Sequence, residues 1–466
     1  MSAMHSSAAA TAIAATAPRR LPLSPGRRLV HALSVLAALA LVAAVGAKLM
    51  PSVQLIWLGL AGLLGVVVLT DGWIALRTAP ADVLTARRVL PHALALGVAK
   101  KLAIKVANSG PRELAMTVHD HAPALLNVKA LPANIRIPAN SETTLWYEVT
   151  PVERGPAQFG RVEVLVDSPW GFWRRRRWLA APTTIRVYPN FAAVARFALL
   201  ATDHRLSRLG VKLKRRRGEG MEFHQLREYR QGDSLRQIDW KATTRQRKLI
   251  SRDYQDERDQ RLMFLLDSSR RMRAQDGEYS HFDQALNSLM LLAHVALKQG
   301  DSVGALSFGQ PAGGDRFFSP EKGGAALNQL TNALYDLQPQ PRTGDYLEAA
   351  KALMARVPKR SMVVILTNLR DEDEDELQLA IRVLAAKHLV VLASLREAAL
   401  DAVLEREVKT FDDALDVASA QHYLDARERT FAKLVKKETF ALDVPPAMLP
   451  IALVNQYLEI KRSGRL

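Results

Sequence analysis

The segment RLMFLLDSS, residues Arg261–Ser269, decides the fold of the largest domain of this 466-residue chain. Its nearly continuous apolar residues predict a strand that is buried on both faces, and the strand ends in three polar residues. The pattern FDQALNSLMLLAHVALKQG follows, with apolar residues at intervals of three and four and Gly300 as a stop signal. A buried strand followed by an amphipathic helix indicates the first half of a parallel α/β unit.

The same alternation of strand and helix continues toward the C terminus. DSVGALSFG, SMVVILTNL and LVVLASL predict further buried strands, with amphipathic helices between and after them and a short edge strand at TFALDVPP. We therefore expect residues 261–466 to form a doubly wound α/β domain with C-terminal helices. Ligands of such sheets bind at the carboxyl ends of the strands. The acidic run Asp371–Glu376 follows one of these ends, and we interpret it as a solvated loop whose last residues favour the next helix.

An unusual mixture of arginine, carboxylate and aromatic residues precedes this domain in EGMEFHQLREYRQGDSLRQIDWKATTR, residues 219–245. Neither a helix period nor a strand alternation explains it. The segment closely resembles the signature of the domain-of-unknown-function family 58, in which Glu-Phe-x-x-Leu-Arg-x-Tyr is followed by Gly-Asp, Arg-x-Ile-Asp-Trp and Thr-x-Arg. The polar and aromatic residues that carry the resemblance are Glu222, Arg227, Tyr229, Asp233, Arg236, Asp239, Trp240 and Arg245.

This resemblance implies a membrane-anchored protein with a von Willebrand factor A-like domain. It also implies a partner, an AAA+ ATPase of the MoxR type, and a role in the assembly or maturation of other proteins, whose identity the resemblance does not supply. No enzymatic activity is established for the family. We therefore expect a protein-interaction module and not an enzyme.

The signature residues alternate in charge, and planar arginine side chains form paired hydrogen bonds with carboxylates. We interpret residues 191–260 as a connecting segment in which an internal network of these residues braces a β domain against the α/β domain. Recognition of a partner on an exposed face is the alternative interpretation. Catalysis is disfavoured, because the chain contains no phosphate-binding Gly-x-x-x-x-Gly-Lys loop, no His-Glu-x-x-His and no Gly-x-Ser-x-Gly.

The resemblance also implies a metal-ion-dependent adhesion site, in which Asp-x-Ser-x-Ser, a later Thr and a late Asp surround Mg²⁺. Asp267, Ser269 and Thr343 match this pattern, whereas Arg271 and Asn368 stand where a Ser and an Asp are expected. A guanidinium beside the ion and the loss of a carboxylate both weaken a site for a hard cation. We therefore expect a degenerate site, with Mg²⁺ as the one cofactor to consider. A metal-dependent hydrolase at Asp267 is an alternative function.

Asp345 and Asp371 are further carboxylates that could replace the missing metal ligand.

Short alternating apolar and polar runs, separated by Asn, Ser, Gly and Pro, occupy residues 82–190. They predict an immunoglobulin-like β-sandwich. Within it, WRRRRW (Trp173–Trp178) could bind phosphates, with its tryptophans available for stacking. We favour a solvated hairpin turn near anionic lipid headgroups, which attract basic clusters beside a membrane.

Two apolar runs, Leu29–Leu49 and Val53–Leu76, are each about long enough to cross a bilayer as a helix. We expect residues 29–76 to form a transmembrane hairpin that follows a disordered tail, residues 1–28. Arginines flank the hairpin on both sides, so the positive-inside rule places both termini and the soluble domains in the cytoplasm, at the inner (cell) membrane. A cleaved signal peptide is the alternative for the first run.

The net charge of +17 and the pI of about 10.1 favour anionic partners. A nucleic-acid-binding protein is therefore a further alternative, supported by KLKRRR, residues 212–217. We favour membrane lipids and not nucleic acid, because the basic residues of the signature are interleaved with acids. The chain contains no cysteine, which excludes disulfides and thiolate zinc sites.

Overall fold

The computed structural model describes residues 23–46, 52–78, 83–190, 222–230, 238–255, 260–277, 279–435 and 439–465. These residues form two compact units. The first contains the described residues up to Leu94 together with Ala99–Pro151 and Pro156–Arg186. The second contains Ala95–Val98, Val152–Gly155 and the described residues from Val187 onward.

The first unit begins with a short strand and two long apolar helices. β1 is Leu23–Pro25, α1 is Arg27–Gly46 and α2 is Ser52–Thr78. Both helices are long and apolar enough to cross a membrane, and they contact each other through a hydrogen bond from Trp57 Nε1 to the Leu36 carbonyl. Both predicted apolar helices are therefore present. Leu23–Pro25 forms a strand and not a disordered tail, because it pairs with residues 173–175.

Eleven further strands complete the sheets of this part of the described chain. They are β2 Leu84–Val89, β3 Ala93–Ala95, β4 Lys100–Asn108, β5 Leu114–Asp120, β6 Leu126–Lys129, β7 Ala133–Ile137, β8 Ser141–Pro151, β9 Gly155–Phe159, β10 Val162–Asp167, β11 Trp173–Leu179 and β12 Thr183–Tyr188. One sheet has the order β2-β4-β8-β6, a second β1-β11-β10-β5-β7 and a third β3-β12-β9. Ile104 of the first sheet and Val118 and Val164 of the second are fully buried. These antiparallel sheets form the predicted immunoglobulin-like β-sandwich.

The prediction of a hairpin turn at Trp173–Trp178 is wrong. These residues form β11, which is paired with β1 on one side and with β10 on the other. The run of arginines is compatible with a strand because the acids of β10 face it. Arg174 Nε lies 3.0 Å from Asp167 Oδ1, and Arg176 Nε lies 2.7 Å from Glu163 Oε1. Cross-strand pairs of opposite charge stabilise such an arrangement.

The second unit contains the predicted von Willebrand factor A-like α/β domain. Its six-stranded sheet has the order β19-β18-β15-β20-β21-β22. These strands are β15 Arg261–Asp267, β18 Ser302–Phe308, β19 Phe317–Glu321, β20 Met362–Thr367, β21 Leu389–Leu395 and β22 Thr439–Val444. β19 is antiparallel to its neighbour, and the other strands pair in parallel.

Helices cover both faces of this sheet, as the alternation of strand and helix predicts. They are α4 His281–Lys298, α5 Gly324–Leu334, α6 Tyr346–Arg356, α7 Glu374–Ala385, α8 Ala398–Leu404, α9 Phe411–Leu434 and α10 Leu449–Arg462. Leu262, Phe264 and Leu266 of β15 pack with α4, α5 and α10. Met263 and Leu265 pack with α6, α7 and the end of α9. Successive residues of a strand point to opposite faces, so both faces of β15 are buried.

One of the two edge strands of this sheet was predicted from the sequence, and the other was not. The edge strand expected at TFALDVPP is confirmed as β22, which pairs in parallel with β21. β19 at the other edge was missed. Its sequence, FFSPE, contains a proline and follows a glycine-rich stretch, so its local pattern is that of a loop.

Candidate functional site

Asp267 is the last residue of β15, at the point where the chain changes sides of the sheet. β18 pairs with one edge of β15 and β20 with the other. The Asp267 side chain is fully buried. Its Oδ1 accepts a hydrogen bond from the Ser269 amide at 2.8 Å, and its Oδ2 accepts one from the Thr367 hydroxyl at 2.6 Å. Both oxygens of the predicted metal ligand therefore already have donors from the protein.

Arg271 lies beside this carboxylate, in a 3₁₀ turn at Arg270–Arg273. Its Nε is 3.7 Å from Asp267 Oδ2, and its Nη1 donates hydrogen bonds to the Tyr346 hydroxyl at 2.8 Å and to Asp373 Oδ2. Burial alone would lower the pKa of Arg271. The neighbouring Tyr346, Asp267 and Asp373 outweigh burial and hold this pKa above its ordinary value. The buried guanidinium is therefore a permanent positive charge at the strand ends.

Tyr346 connects this guanidinium to the carboxylate. Its ring is fully buried, and its hydroxyl lies 2.7 Å from Thr367 Oγ1. Because the Thr367 hydroxyl donates to Asp267, the Tyr346 hydroxyl donates to Thr367 and accepts from Arg271. Burial raises the pKa of Tyr346 well above its usual value, so the phenol stays neutral. The result is a continuous hydrogen-bonded chain from Arg271 to Asp267, in which each bond polarises the next.

The interpretation of Asp371–Glu376 as a solvated loop is wrong for part of the run. Asp373 is buried and pairs with Arg271. Glu376 accepts hydrogen bonds from the backbone amides of Tyr346 and Leu347, at the start of α6. The segment forms a 3₁₀ turn followed by the first turn of α7. The buried Arg271 and the free amides of α6 explain why an acidic sequence turns inward here.

The other predicted metal ligands do not complete a cation site. Ser269 Oγ is buried and has no hydrogen-bond partner among the described residues, whereas Thr343 is exposed. Asp345 caps α6 by accepting from the Glu348 amide at 2.7 Å. In the described part of the chain, no cluster of three His, Asp or Glu side chains could hold a metal ion. One unpartnered hydroxyl beside a guanidinium is a poor donor set for Mg²⁺.

Asn368 occupies the position of the late Asp, and protein groups engage its side-chain amide. Its Nδ2 donates to Glu397 Oε1 at 2.6 Å, and its Oδ1 accepts from Arg427 Nη1 at 2.9 Å. Arg427 is a buried residue of α9 that also donates to the carbonyls of Leu369 and Leu395. A second buried arginine therefore ties α9 to the strand ends of β20 and β21.

The signature segment forms its own small structure. Glu222 and Arg227 lie in β13, Glu222–Glu228, which pairs with β14, Ile250–Gln255. Asp239 begins the short helix α3, Trp240–Gln246, by accepting from the Ala242 amide at 3.0 Å. Trp240 is 66% exposed, and Arg245 is also exposed.

The positions of the remaining signature residues do not decide whether the predicted brace forms. Tyr229 follows β13 and is half-buried, and Asp233 and Arg236 lie outside the described residues. The internal arginine–carboxylate network therefore stays a prediction, and the exposure of Trp240 favours the alternative of partner recognition.

Four residues of this site were not identified from the sequence: Tyr346, Thr367, Asp373 and Arg427. Thr367 could have been found, because it ends a predicted strand whose end faces the site. Asp373 was within a noted segment but was assigned to solvent. Arg427 carries no such signal, because it looks like any charged residue of an amphipathic helix.

Several known proteins are similar to this chain. Residues 225–436 match a family model described as "Protein of unknown function DUF58". The uncharacterized protein YeaD of Bacillus subtilis (strain 168) is 23% identical over 168 residues, which cover 36% of this chain and 39% of YeaD. This chain therefore matches well under half of the length of that relative.

Two solved structures are also among those that match parts of this chain. The VWA domain of SpRpn10 is 14% identical, and the match covers 42% of this chain and 94% of that domain at a TM-score of 0.28. Native alpha-2-macroglobulin of E. coli is 19% identical, and the match covers 23% of this chain and 7% of that protein at a TM-score of 0.19. The matched region contains most of the signature segment and the first five of the six strands of the α/β sheet in chain order. Residues 225–436 of this chain are therefore similar to the DUF58 family.

Proposed function

We propose that this protein is a membrane-anchored, non-enzymatic interaction module that presents its von Willebrand factor A-like domain in the cytoplasm. We further propose that it works with an AAA+ ATPase of the MoxR type in the assembly or maturation of other proteins. The partner class comes from the family resemblance carried by the signature residues. The contribution of the structure is the chemistry of the strand ends, which suits binding better than catalysis.

The observation that carries the proposal is the buried pair of Asp267 and Arg271. A hydrolytic site needs a nucleophile, or a metal with an open position, that substrate can reach. Here the Asp267 carboxylate is fully buried and bonded to protein donors, and the guanidinium supplies the positive charge. This arrangement stabilises the loops at the strand ends and leaves no group of the pair available to a substrate.

The surface above this pair is polar and charged. Arg270 and Glu372 form an ion pair of 2.9 Å in which each side chain is about half exposed. Arg342 and Thr343 are also exposed, and the Arg342 carbonyl accepts a hydrogen bond from the Arg270 amide at 2.7 Å. Such exposed charges contribute little to stability. They are well suited to orienting a protein partner of complementary charge. We therefore assign the partner-binding surface to this rim, with the exposed Trp240 as a second contact.

The positive charges that flank the two apolar helices support the proposed orientation in the membrane. Arg27 and Arg28 begin α1, and Arg77 lies in the last turn of α2. Positive residues are retained on the cytoplasmic side of the inner membrane, which supports a hairpin with both ends in the cytoplasm. Because the chain contains no cysteine, a single Lys387→Cys substitution gives a clean label site in the α/β domain. A membrane-impermeant maleimide should label it only after the cells are permeabilised.

The interaction is tested with purified, detergent-solubilised protein and a tagged AAA+ ATPase of the MoxR type. Arg270→Glu and Trp240→Ala should each reduce the ATPase retained, because each changes an exposed contact and leaves the core intact. Lys387→Glu is the matched control, because Lys387 is exposed just before β21, at the opposite end of the sheet. If wild-type protein retains no such ATPase, or if all three variants retain it equally, the proposed surface is wrong.

A further inference from the structure

The C-terminal part of the second apolar helix lies against a loop of its own unit. Asp71 of α2 is fully buried, and its carboxylate accepts hydrogen bonds from Ser168 Oγ and from the amides of Trp170 and Phe172, the latter two at 3.2 Å. A charged residue is costly within hydrocarbon, and here three protein donors enclose it. The boundary between hydrocarbon and polar headgroups therefore falls close to Asp71.

The last turn of α2 is held by an arginine of the sheet. Arg175 of β11 donates from Nη1 to the carbonyls of Leu76 at 2.6 Å and Ala75 at 3.4 Å. A cation at the C terminus of a helix satisfies carbonyls that have no partner within the helix and favours the helix dipole. The final turn is thus fixed at headgroup level, and the side chains that it presents there have defined positions.

One face of this last segment of α2 forms the wall of a groove of about 570 Å³. Trp73, Ile74 and Arg77 line it from the helix, and Val83, Arg112 and Leu114 are among the residues that line it from the sheet region. Cavities of this size accommodate small ligands. The walls are mostly apolar, and the two guanidinium groups supply positive charge.

The two arginines of the groove have no carboxylate partner in the described part of the chain. The Arg77 guanidinium lies 3.9 Å from the centre of the Trp73 ring, which orients it by a cation–π contact. Arg112 is exposed, at the turn between β4 and β5. Guanidinium groups match the geometry of phosphate oxygens, and tryptophan favours the membrane interface.

We propose that this groove binds an anionic phospholipid. Arg77 and Arg112 hold the phosphate, while Trp73, Ile74 and Leu114 contact the first part of the acyl chains. A lipid fits better than a free phosphate, because the groove is apolar and continues onto the exposed apolar surface of α2, where Leu69 is 73% exposed. The inference rests on the membrane anchoring in the proposed function but not on the ATPase partner.

The proposal is tested by titrating the detergent-solubilised protein with phosphatidylglycerol or with phosphatidylcholine of the same chains and counting bound lipids by native mass spectrometry. Wild type should bind phosphatidylglycerol preferentially. A basic residue near an anionic surface contributes about a factor of five in affinity, so Arg77→Gln and Arg112→Gln should each weaken binding about fivefold, and the double variant about 25-fold. Arg87→Gln is the matched control, because Arg87 is exposed on β2 but does not line the groove.

Three results would overturn the lipid site. They are equal binding of the two lipids, unchanged binding by the double variant, and displacement of the lipid by inorganic phosphate at equal concentration, which would show a simple anion site. Alkaline carbonate extraction of wild-type membranes tests the membrane anchoring separately from the lipid site. Release of the protein from the membrane would refute the anchoring and the lipid site together, whereas retention combined with any of the three results would refute the lipid site alone.

Discussion

The Arg271 guanidinium and the Asp267 carboxylate form a buried ion pair at the carboxyl end of β15, with Nε 3.7 Å from Oδ2. The family resemblance places a divalent cation beside Asp267, and in this chain a side-chain cation lies there. An ion that binds reversibly can be lost or can recruit a ligand from a partner, whereas a guanidinium on the chain cannot. We infer that this site is fixed in one state and that partner binding depends on the surface around it.

We expect Arg271→Ser to destabilise the protein by about 3–5 kcal/mol, because it leaves the buried carboxylates of Asp267 and Asp373 without their positive partner. The substitution also restores the Asp-x-Ser-x-Ser pattern. Millimolar Mg²⁺ should therefore raise the melting temperature of the variant but not that of wild type. Thermal unfolding of the detergent-solubilised protein, with Mg²⁺ and with EDTA, measures both effects.

Arg270→Ser is the control for that substitution, because Arg270 is the neighbouring arginine but is about half exposed and forms an ion pair with Glu372 at the surface. Its melting temperature should stay close to that of wild type with and without Mg²⁺. A wild-type protein that Mg²⁺ stabilises would contradict the idea that the guanidinium replaces the ion.

Asp71→Ala should loosen the loop that holds the end of α2. The substitution leaves the Ser168 hydroxyl and two backbone amides without their charged acceptor, and hydrogen bonds to charged groups contribute about 1.5–3 kcal/mol each. Amide hydrogen exchange of residues 168–173 should increase. Thr70→Ala is the control, because the exposed Thr70 hydroxyl bonds only to the Val67 carbonyl of its own helix. Equal exchange in both variants would exclude a role for Asp71.

The organisation of the chain follows from local sequence signals. The buried strand Arg261–Asp267, the α/β alternation and the two apolar helices are all visible as runs or periods of apolar residues. The partners of charged residues are not visible in this way. WRRRRW has the composition of a solvated turn, but it forms a strand in which Asp167 and Glu163 on the neighbouring β10 pair with two of its arginines. Such pairings depend on register, which one strand does not encode.

In the candidate site, too, the partners of the charged residues could not be predicted from local sequence signals. The sequence places Asp267, Ser269 and Arg271 together, since they are neighbours in one turn. It does not show that Asp373, 102 positions away, would turn inward to Arg271, because an acidic run looks solvated wherever a buried cation is not yet known. Tyr346 and Arg427 reach the site from helices whose apolar periodicity gives no hint of a polar role.

Arg427→Leu should detach helix α9 from the strand ends. The Arg427 side chain is buried, and it donates to Asn368, Ser394 and Asp443 in addition to two backbone carbonyls. Removing one partner of a buried charge network costs about 3–5 kcal/mol. Hydrogen exchange within Phe411–Leu434 should rise accordingly. Arg429→Leu is the control, because Arg429 is exposed on the same helix and donates to the Asp425 carbonyl.

His388 should make the stability of the α/β domain depend on pH. Its side chain is buried just before β21, and neither ring nitrogen has a hydrogen-bond partner in the described part of the chain. Burial, with a smaller contribution from the charge of Lys387, lowers the pKa of His388 below its ordinary value of 6.5. The unfolded chain therefore binds a proton at a higher pH than the folded chain. The free energy of unfolding is unaffected above the unfolded pKa and falls as the pH drops below it.

His388→Leu removes this proton-binding difference and keeps an apolar side chain in the site. We expect the melting temperature of wild type to fall more than that of the variant between about pH 7 and pH 5, a range that spans the unfolded pKa of histidine. His422→Leu is the control, because His422 is exposed on α9. Comparing the three proteins removes the contribution of other titrating groups, which they share. If wild type and His388→Leu lose stability in parallel over this range, the buried histidine is not a source of the acid sensitivity.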